Sequence, residues 1–164
     1  MNKANLSIFL LFGLPLIAQY IWISTGKSGI SSDKLWGHTP EEFRKFSYFS
    51  ILISFLVGVY LFWYMCFKWE TCKNVEWLAM VGLTLMIAAS NFWIPSINSV
   101  GDNSVGNIIT LTIVAIGALL LLISVTTDIQ EDIYKKIAIF SSSWLLFQTV
   151  IMDAIVWNIY NVQN

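Results

Sequence analysis

The chain has 164 residues, 57 % of them hydrophobic and 12 % charged, with a formal net charge of −1. Soluble domains carry about a quarter charged residues, so this composition argues against most water-soluble enzyme classes. There is no basic footprint of the kind a nucleic-acid partner requires.

Charge-free stretches cover 4–26, 46–67, 77–101, 103–127 and 137–152, the last interrupted only by Asp153 before the apolar run continues. About 20 apolar residues cross the ~30 Å hydrocarbon layer as a helix. Within that layer a backbone must satisfy its own hydrogen bonds, so the helix is the default. The length suits one domain. We therefore expect an all-α, multi-pass integral membrane bundle over 1–164, with five transmembrane helices at about 5–24, 40–68, 76–95, 107–126 and 129–160.

The first helix is read as retained, because Gln19, Tyr20 and Trp22 stand where a secretory signal would need small residues for cleavage. Pro15 lies inside it, which a bundle tolerates when neighbours satisfy the freed carbonyl. A polar connection follows from Gly26 to His38. Thr39-Pro40-Glu41-Glu42 then reads as a helix start, with Thr39 as N-cap, Pro40 at N1 and Glu42 closing a capping box. The second helix carries small residues at Ser47, Ser50, Ser54 and Gly58, and the fourth at Gly106, Thr110, Gly117 and Ser124; such seams let helices approach closely. Cys66 and Cys72 are not in a C-x-x-C pair and read as plain interfacial thiols. The third helix should stop or kink at Pro95, and Asp128-Ile129-Gln130-Glu131 reads as a second capping box that opens the fifth helix.

Trp22, Trp63, Trp69, Trp77, Trp157 and Tyr160 fall near helix ends and read as interfacial belts. Trp93 and Trp144 lie deeper. Lys3, Lys68, Lys73, Lys135 and Lys136 on one side face Lys27, Lys34, Arg44 and Lys45 on the other, which is too even to set orientation by the positive-inside rule.

Asp153 is the one charged residue inside an apolar stretch, on a face shared with Ser142, Thr149 and Trp157. A carboxylate at bilayer depth costs ~2.5–3.5 kcal/mol on insertion scales, so it should face the bundle interior, water or the headgroups. On the third helix Thr84, Asn91 and Asn98 recur along one face; on the first, Pro15, Gln19 and Trp22 do. A few polar groups in an apolar, aromatic wall are how small-molecule pockets are lined. His38 is the sole histidine and lies in a loop, so bis-histidine haem ligation and most metal clusters are out, and no metal or resident cofactor is expected.

Two local patterns resemble the TspO/translocator protein family, the tryptophan-rich sensory proteins. Asn91-Phe92-Trp93 is similar to the Asn-x-x-Trp element of that family's third helix, one residue shorter. Trp144-Leu145-Leu146-Phe147, followed by Asp153 and Trp157-Asn158, resembles its last helix. The family's Pro-Pro element is reduced here to Pro40, its Trp-x-x-Leu-Tyr element is missing, and Ser142-Ser143 replaces a Pro-Tyr pair. The resemblance implies a pocket opening toward the first loop for a flat apolar ligand, a tetrapyrrole such as porphyrin or a sterol-like molecule. Trp36 would sit in the lid, and Asn91, Trp93, Trp144 and Asp153 would line the wall.

The competing reading is a structural or accessory subunit of a larger membrane complex, which suits short loops and apolar helices. A lipid-modifying enzyme would have to use Asp33, His38 and Glu41, and no spacing among them argues for catalysis. The expected partners are thus the lipid bilayer, an apolar small molecule, and a homodimer or larger membrane complex.

Overall fold

The computed structural model describes residues 3–26, 36, 39–69, 73–98, 104–129 and 131–161. These are 91 % helical, without strands. Helix α1 starts as Lys3–Ile8, passes through a π-helical turn at Phe9–Gly13 and continues as Leu14–Ser24. Helices α2 (Glu41–Phe67), α3 (Lys73–Asn98) and α4 (Ser104–Thr126) are uninterrupted. Helix α5 runs Ile133–Phe147, becomes π-helical over Gln148–Trp157 and closes with Asn158–Asn161. All five are long and apolar enough to cross a membrane. Lys27, Asp33, Lys34, His38, Cys72 and Asp102 lie outside the described residues.

The helices alternate in direction. The first end of the bundle holds Lys3, Phe67, Lys73, Thr126 and Ile133; the second holds Ser24, Glu41, Asn98, Ser104 and Asn161. Helix α1 touches α2 through Lys3–Ile8 and then follows α3; α3 packs on α4, α4 on α5, and α5 on α2. The result is a ring in the order α1, α2, α5, α4, α3, and α1 is its least enclosed member.

The tightest joint is α3 against α4. A Cβ on Gly117 would lie 2.5 Å from the Met86 nitrogen and 2.7 Å from the Gly82 carbonyl oxygen, so only glycine permits this approach. Gly58 and Gly106, placed in packing seams by their spacing, have open space beside them. The seam on α2 is instead made by Ser47 and Ser50, both buried. The aliphatic core fills the half near the first end. Leu61, Met65, Ala79, Leu83, Ile87, Leu121, Val125, Ala138 and Leu145 form it, with Tyr64. Cys66, the penultimate residue of α2, is buried by its neighbours.

Three helix boundaries depart from expectation. Helix α2 is capped by Pro40, not Thr39: the Thr39 N–H bonds the Trp36 carbonyl at 3.0 Å, and the Arg44 side chain donates to the Thr39 carbonyl at 2.7 Å. The box with Glu42 therefore slips by one position and does not form. Helix α5 is capped by Asp132, whose carboxylate accepts the Lys135 N–H at 2.8 Å, because Asp128 is taken by a partner on α2. Helix α3 runs past Pro95 to Asn98. Proline deprives only the carbonyl one turn back of its donor, and a bundle absorbs that loss.

Candidate functional site

Polar side chains gather in the half of the ring near the second end. Gln148, buried, accepts a hydrogen bond from the Ser50 hydroxyl through Oε1 and donates through Nε2 to Asp153 Oδ1 at 2.8 Å. In an α-helix residues five apart point away from one another. A π-helix closes each turn with i→i+5 bonds, so Gln148 and Asp153 come onto one face. π-Helical turns are rare and recur at functional sites. Asp153 is half-buried and comes within electrostatic range of Tyr20 on α1.

Asn91 ties α1 to α3. Its Nδ2 donates to the Phe12 carbonyl at 2.9 Å and the Ile87 carbonyl at 2.8 Å, and its Oδ1 accepts from Gln19 Nε2 at 3.1 Å. Nearby on α3, Trp93 meets Trp157 of α5 edge to face, with ring centroids 5.8 Å apart and planes at 71°. Helices α3 and α5 are not neighbours in the ring, so these rings reach toward each other across it. Trp157 is 7 % exposed, so its ring is covered by protein rather than turned outward as the belt reading expects. Trp22 and Trp77 are exposed, as belt residues should be.

Trp144 lies on the α2–α5 seam, where its Nε1 donates to the Ser54 hydroxyl at 3.2 Å and its ring packs on Phe140 and Phe147. Trp36 is buried against α2, donating to the Tyr48 hydroxyl at 2.8 Å in an edge-on ring contact. Of the five residues singled out in the sequence, Asn91, Trp93 and Asp153 thus share the second-end half, while Trp144 and Trp36 each lie against α2. The sequence reading missed Gln148, although it is the only amide in 137–152, because an α-helical wheel turns it away from Asp153.

The first end is built differently. The Tyr64 hydroxyl donates to Asp128 Oδ2, and Lys135 Nζ donates to the Asp128 carbonyl at 2.8 Å and to Glu131 at 2.5 Å. Tyr60 donates to the Tyr134 carbonyl at 3.0 Å, and Lys68 lies over the Tyr134 ring. Buried charges persist when paired and hydrogen-bonded, and this end reads as a clasp between α2 and the start of α5.

Among the described residues, no three His, Cys, Asp or Glu side chains are placed to hold a metal ion. Comparison with protein-family models, with curated proteins and with solved structures gives no match to this chain.

Proposed function

We propose that the chain is a multi-pass membrane protein that binds a flat apolar small molecule, tetrapyrrole- or sterol-like, in the second-end half of its helix ring. The observation that carries this reading is the Trp93–Trp157 pair, which spans non-adjacent helices in the same half as the Gln148–Asp153 and Gln19–Asn91 bonds. Aromatic faces stack on flat apolar ligands, and a few fixed polar groups set their orientation. In this reading Asn91, Trp93 and Asp153 line the site, Trp144 backs its wall and Trp36 belongs to its lid.

The test is titration of the purified protein with protoporphyrin dimethyl ester, an uncharged flat probe. Saturable quenching of tryptophan emission at micromolar probe is expected. Trp93→Ala should weaken binding about 5- to 10-fold, the scale of a lost aromatic contact plus its burial. Trp22→Ala, at an exposed position, should change it by less than about twofold. No saturable quenching, or equal losses from both substitutions, overturns the reading.

A second reading, an accessory subunit, is favoured by the outer face of α2, where Phe43, Phe46, Phe49 and Phe55 are all exposed. Large apolar faces also suit lipid, and a partner helix would have to displace it.

A further inference from the structure

On α2, Arg44, Ile51, Gly58 and Met65 recur every seventh position and so form one row along the helix. Helix α1 covers the part of this row near the first end. The Met65 carbonyl accepts a hydrogen bond from Asn5 Nδ2 at 3.2 Å. Phe62, beside the row, stacks on Phe9 with ring centroids 4.0 Å apart and planes at 23°. The Phe9 ring lies against Gly13, where a Cβ would come within 2.7 Å of it. Past this stack α1 leaves its π-helical turn, and Leu14–Ser24 packs on α3. One turn beyond Phe62, Gly58 is half-buried, yet a Cβ there would meet no atom of the described residues within 4 Å. The row that α1 covers at Met65 is therefore open at Gly58, in a slot between α1 and α2 with the Phe9–Phe62 pair as its floor. At the other end of the row Arg44 stands in the first turn of α2, half-buried, and its Nε donates to the Thr39 carbonyl at 2.7 Å. A guanidinium carries five donors in a planar fork, so this bond orients the side chain without exhausting it. Glu41, one turn earlier, is held by Lys45 at 2.8 Å.

We propose that this row is a phospholipid site: Arg44 holds the phosphate of a lipid in the second-end leaflet, and one acyl chain runs past Ile51 into the slot beside Gly58. Length supports it. Arg44 and Gly58 are fourteen residues apart in α2, about 21 Å along the axis. Half of a bilayer of about 40–45 Å, headgroups included, has the same depth, so a lipid with its phosphate at Arg44 ends its chain at Gly58. Chemistry supports it as well. The guanidinium fork matches phosphate oxygens bidentately, which a neutral headgroup would not reward. Ile51, Phe55 and Gly58 bring no polar side-chain atom, so a chain lying on them leaves nothing unsatisfied. The site is argued without the flat-ligand reading and stands or falls apart from it.

Three probes separate the phosphate from the chain. Dioleoyl phosphatidylglycerol carries both, dihexanoyl phosphatidylglycerol keeps the phosphate on short chains, and dioleoylglycerol keeps the long chains without phosphate. Each is added to the delipidated full chain in detergent, and retained lipid is counted by intact-complex mass spectrometry, with a thermal melt of every protein. The wild type should retain one dioleoyl phosphatidylglycerol per chain, at least about tenfold more than either other probe. Gly58→Leu fills the slot, so it should retain at least about fivefold less while melting no lower than wild type in lipid-free detergent. Gly106→Leu also enters open space, but on α4, and should change retention by less than about twofold. Arg44→Gln should bring dioleoyl phosphatidylglycerol down to the level of dioleoylglycerol. Equal retention by wild type and Gly58→Leu, a lowered melt for Gly58→Leu, or equal retention of all three probes by the wild type overturns the proposal. So does a homodimer that Gly58→Leu splits into monomers, which would put a second copy of the chain in the slot. If Arg44→Gln fails to fold, the ranking of probes and Gly58→Leu decide the matter.

Discussion

Gly117 and Gln148 each hold the bundle together by a feature no neighbour can supply. Any side chain at Gly117 must displace the backbone of α3, at Met86 and Gly82, and backbone does not yield as a flexible side chain would. Gly117→Val should therefore destabilise by about 1–3 kcal/mol, the usual effect of overpacking. Gly58→Ala meets open space and should be neutral or stabilising by up to ~1 kcal/mol, since glycine is a poor helix former. Melting curves of the two variants in one detergent check both expectations, and equal losses would mean that the α3–α4 joint is misplaced. Gln148→Leu removes the group that bridges Ser50 and Asp153. Leaving buried polar partners unsatisfied costs about 1–3 kcal/mol. A fully wild-type melting temperature for Gln148→Leu would show that the bridge does not form.

Helix boundaries and helix type show where the amino-acid order was informative and where it was not. Five helices were legible because a charge-free run of membrane-spanning length has few other solutions. The caps were less so. Asp128 and Asp132 stand four residues apart and both suit an N-cap, and the choice between them is made by Tyr64, on another helix. The contact of Gly82 with Gly117 is equally non-local. The inward turn of Asp153 could be argued from insertion energetics, but its bond to Gln148 could not, because the wheel presumes 3.6 residues per turn and α5 is π-helical there. This yields a test of the element itself. A π turn holds one residue more than an α turn, so deletion of Val150 lets α5 revert to α-helix with the amide and carboxylate four apart and still adjacent. Deletion of Val114 from the regular α4 rotates all that follows by ~100° and should abolish folding. Comparable yields of monodisperse protein from the two deletions would contradict the π assignment.

Across the whole bundle, the two ends divide the work. The first end is fastened by the Tyr64–Asp128–Lys135 clasp beside the aliphatic core; the second carries the Gln148–Asp153 and Gln19–Asn91 bonds and the Trp93–Trp157 ring pair. An odd number of spans places Lys3 and Asn161 at opposite ends. Compartment-sensitive reporters fused before Lys3 and after Asn161 should report opposite sides of the membrane, and agreement between them would mean a span has been miscounted. The central claim is that this ring is a binding site in its own right and not a fragment of a larger assembly. Intact-complex mass spectrometry of the detergent-purified protein supplied with protoporphyrin dimethyl ester tests it most directly. The account predicts a stable monomer or homodimer carrying the probe in stoichiometric amount, with the adduct reduced in Trp93→Ala. Recovery of the chain only in company with other polypeptides, or as a stable species that takes up no probe, would contradict it.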